Sequence, residues 1–122
     1  VYPWLRAGLV YNDLGDKAEA LKFMERAHQL EPGNRRVRAN LASLYAETGE
    51  PGAAGEMLEK LVEDYPAYVN GWFNLAVLHL QAGRLDEARR ALEGAKAIRG
   101  LDAHAREQIR RLEQALGAAG EG

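Results

Sequence analysis

Cysteine is absent from the 122 residues, and the chain has one serine, Ser43, and one threonine, Thr48. That removes thiol chemistry, a disulfide frame and cysteine-held metal sites, and it leaves almost no hydroxyl for a base to activate as a nucleophile. His28, His79 and His104 are far apart and form no ligand pair of the H-E-x-x-H kind. No P-loop or Rossmann glycine fingerprint is present. The chain is therefore expected to be no enzyme and to need no metal and no cofactor. A basic block is also missing: 16 basic and 18 acidic residues are interspersed, for a formal charge of −2. A nucleic-acid partner is not expected, because phosphate tracking needs clustered Lys and Arg. There is no long apolar run either. The longest uncharged stretch, residues 65–83, is interrupted by Pro66, Asn70, Asn74, His79 and Gln81, whereas a membrane-spanning helix wants about 20 predominantly apolar residues. The first residue is Val1 rather than Met, which fits a processed chain or a piece of a longer one. The expected compartment is extracellular or periplasmic if a signal peptide has been removed, and cytoplasmic otherwise.

What is present is a period. Gly15, Gly49 and Gly83 are 34 residues apart, as are Ala20, Ala54 and Ala88. Gly8, Ala42 and Ala76 keep the same register, as do Met24, Leu58 and Leu92. Tyr11 and Tyr45 are followed by His79, Trp4 and Trp72 sit two periods apart, and Pro32 and Pro66 by Gly100. Each unit reads as helix, turn, helix. In the first, Trp4, Ala7, Gly8, Tyr11 and Leu14 recur at steps of three and four, the spacing of one helix face. Gly15 suits a left-handed C′ position, Asp16 suits the cap of the next helix, and Glu19 suits the second half of a capping box. Ala20, Phe23, Met24, Ala27 and Leu30 follow on the second helix, which Pro32 stops. Gly8 and Ala20 are small enough to let the two helices approach closely. Trp4, Tyr11, Tyr45, Trp72, Met24 and Met57 fall on the packing period and are expected in the core. Pro51 fits a first helical position, while Gly52 and Gly55 make the helix after it the softest.

These residues resemble the tetratricopeptide repeat (TPR) family, whose 34-residue pattern runs Trp, Leu, Gly, Tyr, Ala, Phe, Ala, Pro. The first unit supplies Trp4, Gly8, Tyr11, Ala20, Ala27 and Pro32; the second Leu41, Tyr45, Ala54 and Pro66; the third Trp72, Leu75, Ala88 and Ala95. The resemblance implies an all-α, right-handed helix–turn–helix solenoid of seven helices in one domain, with units at 1–34, 35–68 and 69–102. Residues 103–117 read as a closing helix capped by Asp102, with Ala105, Ile109, Leu112 and Leu116 as its buried stripe, and 118–122 as a Gly-rich tail.

In this family the first helices of the units line a concave groove that binds peptides or helices. Carrying the groove positions over gives Leu5 and Leu9 from unit one, Asn40 and Ser43 from unit two, and Asn70, Phe73, Asn74, Val77 and Leu80 from unit three. Asn40 and Asn74 hold the place where the family often uses an amide to grip a partner's main chain; an amide both donates and accepts. One subclass clamps the C-terminal carboxylates of chaperones with Lys and Arg. Here the corresponding positions hold Leu5, Leu9, Asn40, Asn70 and Asn74, so that activity is not expected. The expected function is a protein-interaction scaffold with a partly apolar groove. The competing expectation for any one groove residue is that it is filled by contacts within the array.

The ends offer a second surface. Pro3, Ala7, Val10 and Leu14 lie where a preceding unit would pack, and Arg106, Arg110 and Glu113 lie on the outer side of the closing helix. Contact between these two faces would build a head-to-tail homo-oligomer, a fibre or a tube. The alternative is that the charges simply face water.

Overall fold

The structure, a computed structural model, describes residues 2–121, with side chains for residues 3–120; Val1, Gly122 and the side chains of Tyr2 and Glu121 lie outside that description. The described residues form seven helices and no strand: α1 (Tyr2–Asp13), α2 (Lys17–Leu30), α3 (Arg35–Glu47), α4 (Pro51–Asp64), α5 (Val69–Gln81), α6 (Leu85–Lys96) and α7 (Ala103–Glu121). Two compact units result, Val1–Leu61 and Val62–Gly122.

The turns carry the period most plainly. Gly15, Gly49 and Gly83 have φ of 83°, 87° and 78°, a region that costs a Cβ-bearing residue energy but not glycine. The amide of Asp16 then reaches back to the carbonyl of Tyr11 at 2.9 Å, Glu50 to Tyr45 at 2.7 Å, and Arg84 to His79 at 2.9 Å. These are the long bonds of the Schellman motif, and they satisfy carbonyls that the helix end leaves open. So Tyr11, Tyr45 and His79 hold one register because each closes the same turn. Asp16 caps α2 by accepting from the Glu19 amide at 3.1 Å, Asn34 caps α3 through Val37 at 3.1 Å, and Asp102 caps α7 through Ala105 at 2.8 Å. The expected capping box at Asp16 is half formed. Its backbone N–H is already committed to Tyr11, and Glu19 pairs instead with Lys22.

In the first unit, Leu5, Ala20, Met24, Ala27, Val37, Leu41 and Leu44 form one buried cluster. The Leu, Val and Met side chains of such a cluster stabilise by about 1.5–3 kcal/mol each when fully buried. At Gly8 the Met24 side chain of α2 packs directly on the α1 backbone: a Cβ there would lie 2.9 Å from Met24 Cε. Phe23 stacks on Tyr11 at 5.3 Å and on Trp4 at 5.8 Å between centroids. Trp4 is not the core residue expected. It is 36% exposed, on the rim, with the Arg26 guanidinium 5.9 Å from its ring. Ala54, Leu58 and Leu61 of α4 are buried, and that helix is continuous through Gly52 and Gly55.

In the second unit, Leu75, Ala76 and Leu78 of α5, Ala88, Ala91, Leu92 and Ala95 of α6, and Ala105, Ile109, Leu112 and Leu116 of α7 are buried. Trp72 lies flat over Gly94 of α6, and its indole N–H donates to the Pro66 carbonyl at 2.8 Å. His79 is buried, its Nδ1 accepting from Arg84 Nε at 3.0 Å, which also meets Glu87 at 3.1 Å. The closing helix does not stop at Gly117. It runs on through Ala118 and Ala119 to Glu121, since Gly inside a helix costs only about 1 kcal/mol and Ala is the best helix former.

Candidate functional site

On the first unit, the groove positions divide. Leu5 is 3% exposed and belongs to the core, so it is not available to a partner. Its register mate Ala39 is buried too, and that position in the first unit faces inward. Leu9, packed against the same core, is half-buried, as are Asn40 and Ser43. Neither Asn40 nor Ser43 makes a side-chain hydrogen bond with a described residue. The C-terminal edge of this face is tied down by Lys17, a residue the periodicity did not single out. Lys17 donates to the side-chain oxygen of Asn12 and pairs with Glu47 at 2.7 Å. The tie spans 30 positions, so no local spacing reveals it.

On the second unit, Asn70, Phe73, Asn74, Val77 and Leu80 follow one another at steps of three and four along α5 and so share one helix face. Asn70 is exposed; Phe73, Asn74, Val77 and Leu80 are half-buried. Asn70 reaches the Tyr68 hydroxyl at 3.4 Å. The carboxamide of Asn74 makes no hydrogen bond with a described residue. Its full set of two donors and two lone pairs is open, next to Phe73 on one side and Val77 on the other. α5 carries no acidic or basic residue other than His79, and His79 points inward. Depletion of charge beside an aromatic is the composition of an interface core rather than of a solvated face.

An open cavity of about 450 Å³ on the first unit is lined by Glu25, Tyr45, Glu50, Ala53, Glu56 and Met57 and includes no groove position. Burial, and then the Glu25 carboxylate that accepts from its hydroxyl at 3.2 Å, hold the Tyr45 phenol above its ordinary range. Burial, followed by the charge of Arg38, keeps His28 below its ordinary value. The described residues contain no cluster of three His, Asp or Glu able to hold a metal. No described helix is long and apolar enough to cross a membrane.

The charged residues on the outer side of α7 are engaged within their own unit. Arg106 donates to the Leu101 carbonyl at 2.6 Å, Arg110 donates to Glu107 at 2.9 Å, and Lys96 of α6 holds Glu113 at 3.0 Å. Pro3 and Val10 of α1, and Leu14 in the turn that follows it, are exposed.

The tetratricopeptide repeat profile matches residues 12–68 and 47–112. The TPR repeat-containing thioredoxin TTL4 of Arabidopsis thaliana is 36% identical over 87 residues, which cover 71% of the chain and 13% of that protein. Among solved structures, the type III secretion translocator chaperone SycD of Yersinia enterocolitica superposes with a TM-score of 0.86 at 18% identity, over 98% of this chain and 82% of that one. The first TPR of Spaghetti (RPAP3), solved with the HSP90 peptide SRMEEVD, superposes with a TM-score of 0.78 at 20% identity, over 95% and 94%.

Proposed function

The chain belongs to the tetratricopeptide repeat family, and on that premise we propose that it is a non-catalytic protein-interaction module whose main contact is the uncharged outer face of α5. The observation that carries this is Asn74: a half-buried carboxamide with no hydrogen-bond partner among the described residues, flanked by Phe73 and Val77. Such an amide is costly to leave in a dry contact unless a partner supplies its hydrogen bonds. A peptide or helix backbone supplies both a donor and an acceptor, and an apolar side chain of that partner covers Phe73, Val77 and Leu80. Asn40 offers the same amide one period earlier, beside Ser43 rather than an apolar residue.

The partner is apolar rather than acidic. The RPAP3 domain takes an acidic peptide, and capture of carboxylates draws on charged donors. The positions for such donors hold Leu5, Leu9, Asn40, Asn70 and Asn74 here. Stacking of copies through α7 has less support, because Arg106, Arg110 and Glu113 already have partners in their own unit.

The test is selection of binding peptides from a randomised library, followed by titration of Phe73→Ala with Asn74→Ala. Interface anchors of this kind cost roughly 2 kcal/mol or more on truncation, so the double variant loses at least about thirtyfold in affinity at unchanged helical circular dichroism. SRMEEVD binds neither form. Undiminished peptide affinity in the double variant refutes the assignment to α5.

A further inference from the structure

We propose that Asn70, with Gly71 after it, is a spontaneous modification site: its carboxamide cyclises onto the Gly71 nitrogen and hydrolyses, leaving an aspartyl or isoaspartyl residue in the first turn of α5. The chain has five asparagines, and their surroundings differ. Asn12 precedes Asp13 and accepts from Lys17. Asn34 precedes Arg35, and its side-chain oxygen caps α3. Asn40 and Asn74 are half-buried in mid-helix, each followed by a leucine. Of the five, Asn70 is the exposed one and the one that precedes a glycine. Cyclisation needs the next backbone nitrogen to reach Cγ, and glycine has neither a side chain to crowd that approach nor a restricted backbone.

The turn that holds Asn70 opens more readily than the first turns of α2, α3 and α7. Those three are capped by the side chains of Asp16, Asn34 and Asp102, whereas Tyr68, the N-cap of α5, makes no side-chain cap bond. The first amides of a helix lack intrahelical partners, and a terminus without a cap frays at small cost. The Gly71 amide is held by the Tyr68 carbonyl at 3.1 Å, and breaking that one bond frees it. The Gly71 nitrogen then bonds to Asn70 Cγ and gives up its proton; the Cγ–Nδ2 bond breaks, and the side-chain nitrogen leaves with that proton as ammonia. Solvent water opens the resulting succinimide. Opening at Cγ restores the main chain with an aspartyl side chain; opening at the Asn70 backbone carbonyl routes the main chain through the side chain as isoaspartyl. Either product carries a carboxylate where α5 has no acidic residue in its first turn, a place where the helix dipole favours an anion. The aspartyl form keeps the helix, while the isoaspartyl form lengthens the backbone by one carbon and breaks the turn.

The test is incubation of the folded chain at mildly alkaline pH, followed by tryptic mapping with fragmentation of the peptide 61–84, which holds Asn70 and Asn74 together. The mass gain of an amide-to-acid conversion is expected at Asn70 at least about tenfold faster than at the other four asparagines, with folding slowing it less than about tenfold relative to denaturant. The rate is expected to rise with pH, because the attacking nitrogen must lose its proton. An isoaspartyl methyltransferase is expected to label the aged chain, and Asn70→Gln to abolish the label. Conversion of Asn70 no faster than that of Asn74, slowing by folding of more than about tenfold, or labelling that survives Asn70→Gln overturns the proposal. These readouts are masses and labelling, so they stand or fall separately from peptide binding at α5.

Discussion

α5 and α7 occupy the same place in the repeat, one period apart, and their outward positions are filled in opposite ways. Asn70, Phe73, Asn74, Val77 and Leu80 on α5 correspond to His104, Glu107, Gln108, Arg111 and Gln114 on α7. Both helices bury a near-identical inner stripe: Leu75 and Leu78 in one, Ile109 and Leu112 in the other. On α7 the outward charges neutralise one another, Glu107 accepting from Arg110 at 2.9 Å and from Arg111 at 3.2 Å. On α5 there are no charges on this face to neutralise; Asn70 reaches the Tyr68 hydroxyl at 3.4 Å, and the Asn74 carboxamide makes no hydrogen bond with a described residue. Inner residues make both helices part of the array; the outer residues differ, charged and mutually paired on α7 and uncharged on α5.

The comparison can be broken from the inside first. α5 is held in place by Trp72 lying on Gly94, and a Cβ at Gly94 would fall within the indole ring's van der Waals envelope. Gly94→Ala is expected to cost about 1–3 kcal/mol, the usual penalty of overpacking, seen as a lower midpoint in denaturant. Gly117→Ala on α7 meets open space and is expected to gain up to about 1 kcal/mol from helix propensity. Equal effects of the two would mean that α5 is not clamped from behind.

A smaller effect is expected at Glu107, half-buried and paired with Arg110 and Arg111 of its own helix. Hydrogen bonds from Arg110 hold its carboxyl below the usual glutamate value of 4.5. A carboxyl held down in the folded state contributes stability above its unfolded pKa and loses it as pH falls through the folded one. Glu107→Gln is therefore expected to leave peptide affinity unchanged, to shift Tm by less than about 2 °C at neutral pH, and to remove a small, salt-sensitive loss of stability below about pH 4.5.

Local rules made much of this legible in the sequence. Gly15, Gly49 and Gly83 are needed where φ turns positive, and Asp16 and Asp102 are needed where helix amides lack partners; both signals sit within a few residues of what they decide. Gly117 misled because a glycine can sit inside a helix as well as end one, and Ala118 and Ala119 keep the helix going. Leu5 misled for another reason. α1 is apolar on two sides, so spacing alone does not tell which leucine turns to the core and which borders the groove; Leu5 does the first and Leu9 stays half-open. The Lys17–Glu47 pair and the rim position of Trp4 depend on how α1, α2 and α3 sit together, which no window along the chain contains. The openness of Asn74 is of the same kind: the sequence places an amide on the face, but only the packing shows that no described residue hydrogen-bonds to it.

The most direct measurement is amide chemical-shift mapping of the chain on titration with a library-selected peptide. The account predicts shifts concentrated on residues 70–80 of α5, including the Asn74 side-chain amide, with residues 104–114 of α7 undisturbed. Shifts centred on α7, or spread over both helices alike, would contradict it.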